Sequence, residues 1–404
     1  MNGVIVGQSG GPTAVINSSL AGVICGAKEN GASKILGMKH GIQGLLRGEI
    51  VDLNERFSDE RDIESLKRTP AAFLGSCRFK LPNFQECRDD YVKIVQILEK
   101  LGVDSFFYIG GNDSMDTIQK LSDFAKEEKC TIKFVGVPKT IDNDLALTDH
   151  TPGFGSAAKF IATTVRELVC DCSVYDVPAV TIVEIMGRNA GWLTASAALA
   201  KTENGAGADL IYLPEIPFSV ENFLSRVESL TKSKKTVVVV VSEGIRTAEG
   251  KFVCELSGVE GKTDAFGHSM LSGAAKYLEN RVIRAFPKLK CRSIEFSTLQ
   301  RCAAHCMSKT DLEESFLCGK EAVNAAVRGE SGRVVVLERT SAEPYSCKAQ
   351  TQDVHKIANF EKKVPLEWIF DGGVTAEAIS YIRPLILGEV SQQMENGIPS
   401  YIHL

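Results

Sequence analysis

Residues Val237-Val238-Val239-Val240-Val241 form an unbroken run of β-branched apolar side chains. A strand with one wet face alternates apolar and polar residues. A uniform run needs cover on both faces, as in a parallel sheet flanked by helices. The same pattern recurs along the chain. Val4-Ile5-Val6 leads into a helical stretch near residues 14–29, and Ser105 to Ile109 leads into another from about Ser114 to Lys126. Phe134 to Val137 reads as a strand, residues 156–170 as a long helix, Val180 to Ile185 as a strand and Ala-rich 190–200 as a helix. Strand–helix repetition of this kind predicts an α/β protein whose ligands sit at the C-terminal ends of the strands.

With 404 residues, 44% of them hydrophobic, the chain has length for two domains or one large α/β assembly. A net charge of -5 brings no basic excess, which argues against nucleic acid as a partner. No apolar stretch approaches a membrane span. The N-terminus, Met1-Asn2-Gly3-Val4-Ile5-Val6, lacks the basic segment of a signal peptide. Twelve scattered cysteines without a CxxC pair are expected as reduced thiols in the cytoplasm. Cys302, His305 and Cys306 have metal-like spacing, but so few ligands in one short stretch rarely fill a tetrahedral zinc site. After residue 331 one strand-like run, Arg333 to Leu337, precedes polar, Pro-interrupted sequence. That segment reads as an appendage on the core, not as an independent domain.

The strands end in loops suited to chemistry. Gly7-Gln8-Ser9-Gly10-Gly11-Pro12-Thr13 and Gly110-Gly111-Asn112-Asp113-Ser114 each follow a strand and precede a helix. Glycines let backbone approach a ligand, and helix N-termini direct free N–H groups at anions. A tight turn explains either loop alone; two in one chain point to a phosphate or nucleotide site. Neither matches the Walker pattern GxxxxGK[ST]. Pro138-Lys139-Thr140-Ile141-Asp142-Asn143-Asp144 adds one cation and two carboxylates at a strand end. A solvated turn with an Asx cap would need no particular order of these residues. For chemistry, the carboxylates suit Mg²⁺ or a hydroxyl proton, and the lysine suits a transferring phosphoryl group. Met186-Gly187-Arg188 follows another strand, and Ser242-Glu243-Gly244 follows the valine run. Taken alone, Glu243 fits a capping role as well as a substrate contact.

In this order these loops, with Leu74-Gly75-Ser76-Cys77-Arg78-Phe79 and Leu299-Gln300-Arg301, resemble the phosphofructokinases over roughly residues 3–330. Within that family the chain resembles the pyrophosphate-using branch, and residues 331–404 resemble a C-terminal extension of certain members. The resemblance implies two Rossmann-like three-layer α/β/α domains with mainly parallel sheets. Residues 1–175, completed by part of 300–404, would bind the donor; 176–300 would bind the sugar phosphate; and 331–404 would pack on the core. It implies phosphoryl transfer from pyrophosphate to the 1-hydroxyl of fructose 6-phosphate in glycolysis, reversible and Mg²⁺-dependent, by a cytoplasmic homodimer or homotetramer. ATP-dependent phosphofructokinase is the alternative.

The resemblance also assigns roles. Asp142 matches the general base, and Lys139, Asp113 and Arg78 complete the catalytic group. Gly11, Arg78, Gly111, Asp113 and Lys139 match the donor site. Thr140, Ile141, Asp142, Met186, Gly187, Arg188 and Glu243 match the sugar site, with Arg292, Thr298 and Arg301 at its 6-phosphate. Asn112 and Asp144 match the metal side. ATP-using members carry glycine at the positions of Asp113 and Lys139. A carboxylate at Asp113 would fill nucleotide space and repel an α-phosphate, while an ammonium at Lys139 would stabilise a small leaving phosphate. The chain departs from the family at Asn112, where many members have Asp, at Ala179, where bacterial ATP enzymes have arginine, and at Thr298, which replaces histidine. Ala21 and Cys25 replace arginines that bind effector phosphates.

Overall fold

The computed structural model describes residues 1–174, 176–257, 271 and 273–404. Two sheets contain β1 (Gly3–Gln8), β2 (Lys34–Met38), β3 (Ile50–Asp52), β4 (Ser105–Gly110), β5 (Lys133–Pro138), β6 (Ala179–Ile185), β7 (Leu210–Tyr212), β8 (Thr236–Ser242), β9 (Lys290–Glu295), β10 (Arg333–Ala342) and β11 (Tyr345–Asp353). The first has the order β11-β10-β5-β4-β1-β2-β3 and the second β7-β8-β6-β9. Within these two sheets, among the described residues, only β3 and β11, at the edges of the first, run antiparallel to their neighbours. The chain divides into two compact units: residues 1–156, 301–361 and 388–404, and residues 157–300 and 362–387.

Both faces of the first unit's sheet are apolar. Val4, Val6, Phe107, Ile109, Val135 and Val137 pack on one side with α1 (Ile16–Glu29). Ile5, Phe106, Tyr108 and Phe134 pack on the other with helix Arg88–Leu101 and α2 (Asn112–Glu127). Successive strand residues point to opposite faces, so every position in these runs is core. Helix α3 (Phe154–Ser173) follows, and the long C-terminal helix α4 (Lys309–Val327) returns to lie against α1. Their contact is set by Gly22 and Gly319. A Cβ on Gly22 would collide with the Phe316 carbonyl, and one on Gly319 with the Ser19 carbonyl. Ala21 is fully buried in this core, and Cys25, partly buried, packs against it.

In the second unit the valine run is the interior strand β8, parallel to both β6 and β7. Val237, Val239 and Val241 share a core with helices Val220–Ser233 and Ala274–Ala285. The Ala-rich stretch 190–200 differs from the single helix expected. It is a short α-helix, Trp192–Ala195, tightened into a 3₁₀ turn over Ser196–Ala200. The Arg166 guanidinium donates to the Leu199 and Ala200 carbonyls, which supplies partners that the helix end lacks.

The segment after 331 is more than an appendage. β10 is an interior strand between β5 and β11, with Val334 and Val336 on one face of the sheet and Val335 and Leu337 on the other. Residues 362–387 belong to the second unit, and the chain then returns to the first. All twelve cysteines carry free thiols. Among the described residues, no helix is long and apolar enough to cross a membrane.

The α1–α4 contact yields a direct test. Gly319→Val should force the two backbones apart and cost about 1–3 kcal/mol, the usual range for overpacking. The readout is the urea midpoint; an unchanged midpoint would show that the two helices do not meet as described.

Candidate active site

In the first unit, β1, β4 and β5 deliver three loops to neighbouring strand ends. The first loop is anchored by its backbone: Ser9 N–H donates to the Ile109 carbonyl at 2.9 Å and Gly10 N–H to the Cys77 carbonyl at 3.2 Å. The Ser76 hydroxyl donates to the Gly10 carbonyl at 2.6 Å. Gly10 has a φ of 75°, a conformation that favours glycine. Lys139, at the end of β5, is buried and donates to the Gly11 carbonyl at 2.5 Å. A Cβ on Gly11 would lie 3.3 Å from Nη1 of Arg301. Glycine thus leaves room for a guanidinium beside the loop.

These cations perturb one another. Burial lowers the Lys139 pKa to about 8; Asp142 and Asp144 oppose that shift, while Arg301 and Arg78 add to it. Burial also lowers Arg301, and Arg78 pushes it further down. Arg78 itself is exposed. Three cations around glycine backbone, with two carboxylates near the lysine, make a site for a multiply charged anion. Arg301, expected at the sugar 6-phosphate, stands in this group at Gly11.

The second loop enters α2 through Gly111, and no side chain caps the helix. Asp113 is half-buried in the first turn. Asn112, expected on the metal side, has both amide atoms in use. Its Oδ1 accepts from Asn359 N–H at 2.6 Å, and its Nδ2 donates to the Phe360 carbonyl at 2.7 Å. An aspartate there would lose the second bond, so asparagine is explained by the segment it holds.

In the third loop the Asp142 N–H donates to the Thr140 hydroxyl oxygen at 3.1 Å. The hydroxyl in turn donates to Asp142 Oδ2 at 3.4 Å. Asn143 is fully buried in a left-handed conformation, φ 55°, and its Oδ1 accepts from Thr151 N–H at 2.9 Å. Asp142 is therefore held half-exposed by fixed residues on both sides. Ile141 is buried, and Asp144 is partly buried.

The second unit holds the remaining expected residues. The Gly187 N–H donates to Glu243 Oε1 at 3.3 Å, and the Ser242 hydroxyl donates to the Gly187 carbonyl. Gly187 has a φ of 138°. A Cβ on Gly244 would strike the Arg188 carbonyl. The Met186-Gly187-Arg188 and Ser242-Glu243-Gly244 loops are thus locked together. Met186 N–H donates to Gln300 Oε1 at 3.4 Å, and Gln300, buried, was not singled out from sequence. Its only signal was its place between Leu299 and Arg301. Arg292 and Thr298 stand apart from these loops' hydrogen bonds. Arg292 donates to Thr181 Oγ1 at 3.1 Å and to Asp171 Oδ2 at 3.0 Å; Thr298 is exposed.

The phosphofructokinase family model matches residues 3–326. A pyrophosphate–fructose 6-phosphate 1-phosphotransferase of Xanthomonas campestris pv. campestris is 42% identical over 406 aligned residues, which cover 99% of this chain and 96% of that protein. The enzyme of the same name from Halomonas elongata is 38% identical, covering 98% and 94%. The crystal structure of a pyrophosphate-dependent phosphofructokinase from Nitrosospira multiformis superposes with a TM-score of 0.89 at 34% identity, covering 99% of this chain and 96% of that one.

The buried lysine makes anion binding depend on pH. Its ammonium is charged below about 8 and loses its proton as pH rises through that value. Affinity for inorganic pyrophosphate, measured by calorimetry on the free protein, should weaken above pH about 8. Lys139→Met should bind weakly and lose that limb of the profile. An unchanged profile in the variant would show that another group titrates.

Proposed function

The chain belongs to the phosphofructokinase family, and from that premise we propose that it transfers a phosphoryl group from pyrophosphate to the 1-hydroxyl of fructose 6-phosphate. The products are fructose 1,6-bisphosphate and phosphate. The observation that carries this reading is the group of Lys139, Arg78 and Arg301 at the Gly10-Gly11 backbone, with Asp142 beside it.

In this reading the first unit binds the donor and the second binds the sugar phosphate. Asp142 accepts the proton of the 1-hydroxyl as its oxygen forms a bond to phosphorus. The bond from that phosphorus to the bridging oxygen breaks, and phosphate leaves. Lys139, with Arg78 and Arg301, offsets the charge that grows on the leaving group. Thr140 orients Asp142, while Met186, Gly187, Arg188 and Glu243 hold the fructose. Arg292 and Thr298 are assigned to its 6-phosphate.

Asp144 would supply a hard carboxylate oxygen to a Mg²⁺ beside the donor site, while Asp142 is kept for the proton. Bound there, the ion neutralises phosphoryl charge; Asn112 would shape this side by holding residues 359–360. A soluble homodimer or homotetramer acting in cytoplasmic glycolysis, in either direction, fits this assignment.

Three outcomes test the proposal. Initial rates at equal donor concentration should be high with pyrophosphate and low with ATP; preference for ATP would transfer the chain to the ATP-dependent branch. Asp113→Gly should raise kcat/KM with ATP and lower it with pyrophosphate, because it removes both bulk and negative charge. Asp142→Asn should lower kcat by roughly 10²–10⁴-fold, the usual cost of losing a general base. Near-normal turnover in that variant would remove the base assignment.

A further inference from the structure

A buried charged network lies behind the catalytic loop, and none of its members has a part in the chemistry above. Residues 148–156 form a strap along that loop. Thr140 N–H donates to the Pro152 carbonyl at 3.2 Å, and Thr140 pairs with Gly153 in a parallel bridge. The Thr151–Asn143 bond holds the loop on the other side of Asp142.

Helix α4 grips the far side of the strap. Asp311 accepts from Gly153 N–H and Ser156 N–H, each at 2.8 Å, and from the Ser156 hydroxyl at 2.5 Å. One turn on, Glu314 Oε2 accepts from His150 Nε2 at 2.6 Å. The other ring nitrogen, Nδ1, lies 2.8 Å from Asp149 Oδ1. Arg339 on β10 donates to that same oxygen, and Tyr345 on β11 donates to Glu314 Oε1 at 2.5 Å.

We propose that Asp311 and Glu314 are positioning residues for Asp142, acting through the strap and the doubly held His150 ring. This rests on the reading of Asp142 as the base. A neutral imidazole has one N–H and would turn a lone pair toward one of the two carboxylates; the protonated ring donates to both. His150⁺ and Arg339⁺ then balance Asp149⁻ and Glu314⁻. Such a buried network holds firmly when complete and is costly when one partner is missing.

The titration of the network follows its surroundings. Burial works against charge on His150, but Glu314 and Asp149 outweigh it and raise the ring to about 9. Asp311 is pushed up to about 6 by burial. Cys347 and Cys318 face the same carboxylates, and burial keeps both thiols protonated. A raised histidine stabilises the fold fully below its ordinary value and ceases to do so as pH rises through about 9. With Asp311 charged above about 6, the clamp is complete between these two values. His150, Glu314 and Cys347 bring ligand atoms within 4.8 Å of one another. Both ring nitrogens are already committed to carboxylates, however, so the cluster holds protons in preference to a metal.

The test compares His150→Gln, Glu314→Gln, the double variant and Asp142→Asn in the full-length chain. The clamp variants should lose kcat by roughly 10- to 100-fold, the scale expected when a reacting group is displaced by about 1 Å. KM for fructose 6-phosphate and pyrophosphate should change little, and the double variant should be no worse than the poorer single. Amide exchange in residues 140–144 should rise in each. Folded clamp variants with wild-type kcat, alongside an inactive Asp142→Asn, would overturn the clamp alone. Turnover retained by Asp142→Asn would instead overturn the base reading. The wild-type chain gives an arm that no folding failure removes: ¹⁵N NMR should find both His150 ring nitrogens protonated at neutral pH, and a neutral ring there would overturn the proposal.

Discussion

A lysine ammonium buried against a glycine carbonyl is the constraint around which the first unit is arranged. Lys139 reaches Gly11 because β1 and β5 end side by side around β4, and because no side chain at Gly10 or Gly11 stands between. Removing an ammonium from water is expensive unless charge of opposite sign is near. Asp142 and Asp144 supply it from the same loop, three and five positions along. The order Lys-Thr-Ile-Asp-Asn-Asp is therefore a charge-balancing solution, whatever else the loop does. Arg78 and Arg301 then add further positive charge beside the lysine. Burial is the main reason the lysine proton is bound less tightly than usual, and the two arginines add to it.

What the sequence made legible was local. Uniform apolar runs mark strands covered on both faces, and five such runs became interior strands or well-packed members of the two sheets. The glycine turns were legible because only glycine permits the close approaches they make. What escaped notice depended on partners distant in sequence. Asn112 reads in the sequence as a substituted metal ligand, while in the structure its amide spans the backbone of residues 359–360, almost 250 positions away. Residues 190–200 have helical composition, but the stretch tightens where Arg166 meets its last carbonyls. β10 read as an appendage because one strand carries no sign of the sheet it will join. Its neighbour β5 was equally visible, yet the pairing of the two is a long-range fact.

The site residues divide in the same way. Asp142, Lys139 and Glu243 are polar groups at the ends of apolar strands, where polarity needs a reason. His150, Asp311 and Glu314 lie in ordinary-looking loop and helix sequence, and only the fold brings three carboxylates and one imidazole together. Gln300 is similar: a neutral amide with no visible purpose until its oxygen meets the Met186 N–H.

The C-terminal part of the chain links these observations. β10 supplies Leu337, whose backbone bonds Thr148 and Asp149 at the start of the strap. It also supplies Arg339, whose guanidinium completes the charge balance at Asp149. β11 contributes Tyr345 to Glu314, and the turn that follows brings Asn359 to Asn112. An extension that touches the strap behind the 139–144 loop and the first turn of α2 helps to hold both. Its removal would leave buried charges unpaired and would also uncover the apolar cores that Val334 to Leu337 fill, so the sheet edge and these loops depend on the same residues.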